Sequence, residues 1–238
     1  MATASGRSAA PGRGSPVQAR SVTVTGRPGS GVDFDAEPGG LLALAGPRGP
    51  ERTALLLALG GRYRLRGGNL RVGGFALPGQ KAAVRRHVAV ARALHAFGPD
   101  PYDTVGELLS TAGAYAGRRA DEAEVRYALE RVGLDEPPLP RGARYGALAP
   151  LPRLLLAVAL ALVGRPSVLL VDAVDDGLDD DGTPAAWRAL RRVADSGPTV
   201  LATCDSASAA ASQAHHVVPL EPAAVGVTAP ATTGGESR

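Results

Sequence analysis

Residues 41–61, LLALAGPRGPERTALLLALGG, constrain the fold more than any other stretch of the chain. The unbroken apolar run Leu41 to Ala45 enters a loop of glycines and prolines, and a second apolar segment, TALLLALGG, leaves it. A strand that is apolar on both faces has to be covered on both, which is the situation of a central strand in a parallel sheet. The helix that follows is stopped by Gly60 and Gly61. Strand, loop and helix in that order demand a layered α/β core.

The other segments extend this pattern. SVTVT (21–25) and VDFDA (32–36) alternate like two antiparallel strands, with the turn Pro38-Gly39-Gly40 after the second. LRVGGFA (70–76) and HVAVA (87–91) read as short strands. From Thr104 to about Leu134 apolar residues recur every three or four positions, as in helices. Beyond EPPLP a helix is expected to about Val163, then the buried strand SVLLVD (167–172), a helix around Trp187 to Val193, and the strand PTVLAT (198–203). Strands alternating with helices predict an α/β fold with a mostly parallel core sheet, an antiparallel β subdomain and an inserted helical subdomain over about 95–155. Residues 1–20 and 221–238 are Ala, Gly, Ser, Pro and Thr with little periodicity and are expected to be disordered tails, leaving 21–220 as the folded domain.

Composition removes several function classes. Lys and Arg number 26 against 23 Asp and Glu, with no basic block longer than two residues, and aromatic content is 4%. Single-strand nucleic-acid binders need aromatic platforms among their cations, so no nucleic-acid partner is expected. The one cysteine, Cys204, forms no internal disulfide, and the N-terminal stretch has no apolar core of a signal peptide. The longest apolar run, Leu154 to Val163, is too short to cross a bilayer, which needs ~20 residues. The expected location is the cytoplasm, with no direct membrane insertion.

The loop after Leu41–Ala45, Gly46-Pro47-Arg48-Gly49-Pro50-Glu51-Arg52-Thr53, occupies the frame of the phosphate loop GxxxxGK[ST]. In an intact loop successive backbone N–H groups converge on the phosphates, and a lysine bridges the terminal ones. Here Pro50 lacks an N–H, Glu51 brings negative charge toward an anion, and Arg52 replaces the lysine. Lys81, the chain's one lysine, lies far outside the loop. Gly46, Gly49, Arg52 and Thr53 are the candidate nucleotide-contacting residues, and Thr53 equally suits a helix N-terminus that it caps.

Taken in order, VDFDAEPGGLLALAGPRG, DTVGELL (103–109), LERVGLDEPP (129–138) and LALVGRPSVLLVDAVDDGLD (160–179) resemble the nucleotide-binding domains of ATP-binding cassette (ABC) transporters, over roughly 22–205. The resemblance implies ATP and Mg²⁺ as cofactors, and as partner an integral membrane protein or another ABC-type subunit, with dimerisation the family's mode of assembly. Asp172 takes the place of the metal-coordinating Walker B aspartate, and Gly177-Leu178-Asp179 that of the D-loop. The family's other positions are changed. Ala173 replaces the glutamate that polarises water, Leu148-Ala149-Pro150-Leu151-Pro152 the signature LSGGQ, Cys204 the switch histidine, and Ala93 the glutamine of the Q-loop. The stacking aromatic expected near Gly26 to Pro28 is missing.

Other readings of these residues stand beside that one. Asp172 ends a buried strand, where many α/β folds put a polar residue. The acids Asp172, Asp175, Asp176, Asp179, Asp180 and Asp181 could attract a hard cation, or form a solvated loop. His215-His216 lacks a third ligand nearby, and Cys204 has no adjacent base. The leading expectation is a degenerate, non-hydrolysing cassette with weak ATP and Mg²⁺ binding, acting as structural or regulatory partner of a membrane transporter-like protein, to which it would lie peripherally. The alternatives are an active ABC subunit with non-standard motifs, or a soluble α/β binding module with a different ligand.

Overall fold

The computed structural model describes residues 13–24, 31–94, 96–114, 117 and 120–220. Residues 1–12 of the expected tail 1–20, the expected tail 221–238 and the segment Gly26 to Pro28 lie outside the described residues.

Two sheets form the framework. Strands β1 (Val17–Val24), β2 (Val32–Ala36), β4 (Leu65–Val72) and β5 (Phe75–Leu77) pair antiparallel in the order β2-β1-β4-β5. Strands β3 (Leu41–Ala45), β6 (Val88–Arg92), β7 (Val168–Val171), β8 (Thr199–Cys204) and β9 (His216–Pro219) form a parallel sheet in the order β6-β7-β8-β3-β9. The antiparallel subdomain and parallel core expected from the sequence are both present.

The side chains of β3 explain why its run is continuous. Leu41, Ala43 and Ala45 face one core with α5 (Pro150–Leu162) and α6 (Gly182–Asp195), while Leu42 and Leu44 face a second with α1 (Pro50–Leu59) and the antiparallel sheet. Strand β7 divides in the same way, with Leu169 and Val171 on the first side and Val168 and Leu170 on the second. Period-2 side chains between two covered faces leave no polar position within the strand.

The inserted helices are fixed locally. Helix α3 (Val105–Ser110) opens on a capping box between Thr104 and Glu107, and α4 (Glu122–Val132) on one between Asp121 and Glu124. Gly133 ends α4 in the left-handed region at φ 77°. Helix α5 then runs unbroken from the helical subdomain into the core, packing on α4, α6 and β6.

Several elements differ from expectation. β1 begins at Val17, so 17–20 belong to the domain and not to a tail; Val17 and Ala19 are fully buried against β2 and β4. β4 begins at Leu65, five residues before the expected strand, because Leu65 and Gly67 pair with Val24 and Thr23 of β1 across an irregular register. The helical pattern expected over 104–134 resolves into α3 and α4. Helices α2 (Lys81–His87) and α7 (Ala207–Ala211) and edge strand β9 were not anticipated. No helix among the described residues is long and apolar enough to cross a membrane.

Candidate functional site

The sequence-predicted residues meet where β3, β7 and β8 end, at the carboxyl edge of the parallel sheet where open α/β folds bind ligands. Gly46 N–H donates to the Cys204 carbonyl at 3.0 Å, tying the loop to the end of β8. Only glycine fits there, since a Cβ would stand 2.6 Å from the Leu220 carbonyl oxygen. Gly49 is the N-cap of α1 and Pro50 its first residue. The Glu51 carboxylate folds back over Gly49, its Oε2 2.9 Å from where a Cβ would be.

Asp172 is fully buried and both its oxygens are engaged. Thr53 Oγ1 donates to Oδ2 at 2.6 Å and Leu94 N–H to the same oxygen at 3.0 Å, while Thr203 Oγ1 donates to Oδ1 at 2.5 Å. Thr53 therefore bonds the strand-end aspartate and does not cap its own helix.

Arg52 is 3% exposed and turned inward. Its Nη1 donates to the Gly46 carbonyl at 2.7 Å and to Asp205 Oδ1 at 2.7 Å, and its Nε stands 4.0 Å from Asp172 Oδ1 without a hydrogen bond among the described residues. The other Asp205 oxygen accepts from Arg48 Nη2 at 2.8 Å and Nε at 3.2 Å, and Arg48 Nη1 reaches Asp176 Oδ1 at 2.5 Å. Both loop arginines thus converge on one carboxylate. Burial alone would raise Asp205, but the hydrogen bonds from Arg48 and Arg52 outweigh it and hold the carboxyl below its ordinary value.

Behind Asp172 sits Arg92, which the sequence did not single out. It is 8% exposed and donates from Nε and Nη2 to the Asp172 carbonyl at 3.2 Å, and from Nη2 also to the Ala173 carbonyl. Burial pushes its guanidinium below the usual arginine value. Ala173 is held at φ 50°, a left-handed conformation costing an alanine about 1–2 kcal/mol. Its N–H donates to Thr203 Oγ1 at 2.8 Å, which together with the Arg92 clamp fixes that conformation.

The remaining candidates fall elsewhere. Ala149 is the N-cap of α5 with no side-chain cap, and Pro150 and Pro152 carry no N–H in its first turn. Gly177 packs against the Pro150 ring. Cys204 is buried, donates weakly to the Ser206 carbonyl at 3.2 Å, and is pushed up to about 12 by desolvation. Asp175 accepts from Asp205 N–H and Asp179 from Gly182 N–H, and among the described residues no group of three or more His, Cys, Asp or Glu converges as a metal site. His215 Nδ1 accepts from Leu41 N–H at 2.9 Å, a strand contact. The sequence reading missed Arg48, Arg92 and Asp205. A signal existed in an eight-residue loop holding two arginines and no lysine, with an aspartate directly after the switch position.

A parallel sheet in which an inner strand, β3, enters a glycine loop and helix, with a threonine hydroxyl on the aspartate that ends β7, one strand removed across β8, defines a P-loop type nucleotide-binding fold. No protein-family model matches the chain. Among curated proteins it is 32% identical over 175 residues to the Nod factor export ATP-binding protein I of Burkholderia thailandensis, covering 73% of this chain and 56% of that one. It is 30% identical to the zinc import ATP-binding protein ZnuC of Paracoccus denitrificans, over 69% of this chain and 58% of that one. The chain therefore spans little more than half the length of these relatives. Of solved structures, a bacterial Atm1-family ABC exporter with ATP bound superposes with TM-score 0.66 at 21% identity, over 92% of this chain and 39% of that one. An ATP binding subunit of an ABC transporter gives 0.65 at 17%, over 86% and 85%. The chain belongs to the nucleotide-binding domains of the ATP-binding cassette family.

Proposed function

We propose that this chain is a cassette whose nucleotide machinery is inactive, and that it serves as a structural or regulatory partner of a membrane transporter-like protein. The observation that carries the reading is Arg52, buried at the phosphate loop's lysine position and paired to Asp205 and the Gly46 carbonyl. A magnesium nucleotide would have to displace the Asp205 carboxylate, and it would find no N–H at Pro47 or Pro50 and the Glu51 carboxylate over Gly49. The filled lysine position and the altered loop, more than Asp172, which keeps its bond to Thr53, are what weigh against a tightly held metal-bound triphosphate.

Magnitudes point the same way. A lost oxyanion-type donor costs about 3 kcal/mol of transition-state stabilisation, and a lost general base roughly 10²–10⁴-fold in rate. Ala173 has no carboxylate to act as base, and Pro150 and Pro152 have no donors for a partner's nucleotide. The membrane-transport setting is supported by the relatives, which carry the names of export and import ATP-binding proteins.

The active-subunit reading draws support from the same relatives and from the Thr53–Asp172 bond at 2.6 Å, a pairing a working site would also use. Phosphate release with ATP and Mg²⁺, alongside calorimetric titration of ATP, decides between them. The expected result is no turnover above background. Mg²⁺-dependent turnover abolished by Asp172→Asn would overturn the proposal in favour of the active subunit.

A further inference from the structure

Between Glu51 and Asp100 the chain holds nine Arg and Lys and not one Asp or Glu, which leaves the rest of the molecule net acidic. The fold gathers part of this charge around a cavity of about 370 Å³ at the C-terminal end of α1, lined by Arg62, Tyr63, Arg64, Lys81 and Arg85. No acidic residue lines it, and none of these four cations has a carboxylate partner among the described residues.

Two of the cations have structural work. Arg62 donates to the Gly60 and Val88 carbonyls at 3.0 and 3.1 Å, and Arg85 Nε to the Gly61 carbonyl at 2.8 Å, so together they cover the end of α1. A helix terminus offers about half a negative charge, far less than four cations carry. Each guanidinium has five N–H donors, and these contacts use only one or two. Burial first, and then repulsion from Arg85, push Arg62 below its ordinary value. Arg64 and Lys81 make no hydrogen bond or ion pair among the described residues that would account for them.

We infer that this pocket binds a phosphate-bearing ligand, the phosphate seated among Arg62, Arg64, Lys81 and Arg85, with the half-exposed Tyr63 ring beside it. Guanidinium forks match phosphate oxygens bidentately, and a cavity of this volume suits a small ligand or a headgroup. It lies at the opposite end of α1 from the phosphate loop, about 15 Å away for a ten-residue helix. The inference is therefore independent of whether the chain handles ATP.

The test uses the full chain and two probes: inorganic pyrophosphate in calorimetry, and sedimentation with phosphatidylcholine vesicles made with and without phosphatidylglycerol. Arg64→Gln/Lys81→Gln removes two charges and leaves the bonds of Arg62 and Arg85 in place, so its thermal unfolding should match wild type. Binding of pyrophosphate assigns a soluble ligand, and binding only of phosphatidylglycerol vesicles assigns a lipid headgroup. Either should weaken roughly 10-fold or more in the double variant and fade as salt rises. Binding of neither probe, or binding that survives the double variant, overturns the inference.

Discussion

At the scale of single residues, the centre of this molecule is a carboxylate shared by two arginines. An exposed ion pair is worth under about 1 kcal/mol, whereas removing one partner of a buried pair costs about 3–5 kcal/mol. Asp205 is partly exposed and Arg52 is not, so Asp205→Ala should destabilise the chain by about 2 kcal/mol in chemical denaturation. Because the folded value of Asp205 is depressed, its contribution is fully present above the unfolded value of about 3.9 and is lost as pH falls through the folded one. Stability of the wild type should therefore decline below about pH 4 more steeply than that of Asp205→Asn. Cys204, raised to about 12 and buried, should resist a thiol reagent at pH 7 until the protein is unfolded; rapid labelling of the folded chain would contradict the buried placement. Little of this was legible in the sequence. Arg52 can be seen to replace a lysine, but its counter-ion lies 153 residues away and only the fold brings them together.

At the scale of elements, legibility followed burial. β3 and β7 were readable because both faces are covered, so their apolar runs are continuous. β4 was half-hidden by Gly67 and Gly68, and β9 by its exposed edge position and terminal Pro219, which an edge strand tolerates. The start of β1 was hidden because Gln18 and Arg20 alternate with Val17 and Ala19 beside a Gly-rich stretch. Helix α5, by contrast, is apolar almost all round and ties the helical subdomain to the core. Leu156→Ala, at a fully buried position, should cost about 2–5 kcal/mol and be read as a lower denaturation midpoint. Asp121→Ala, which removes the capping box of α4, should cost only about 1 kcal/mol. An equal loss in the two variants would mean that α4 contributes more to the fold than its packing indicates.

At the scale of the whole molecule, the distribution of charge and the state of the loop matter more than any one motif. A ligand present at 100 times its Kd would stabilise the folded chain by about 2.7 kcal/mol. Millimolar ATP with Mg²⁺ should leave the unfolding temperature unchanged on the proposed reading; a shift of several degrees would count for nucleotide binding. The overall architecture was legible from the order of its segments, since strand, loop and helix recur at spacings only a few folds allow. The internal pairing was not, because it depends on β8 and α1 being side by side. That pairing has a consequence for energy sensing. Arg52 on α1 and Asp205 after β8 hold the loop in one shape without help from any metabolite. On the proposed reading, this chain would bring to any assembly a form that stays the same whether the cell is rich in ATP or depleted of it.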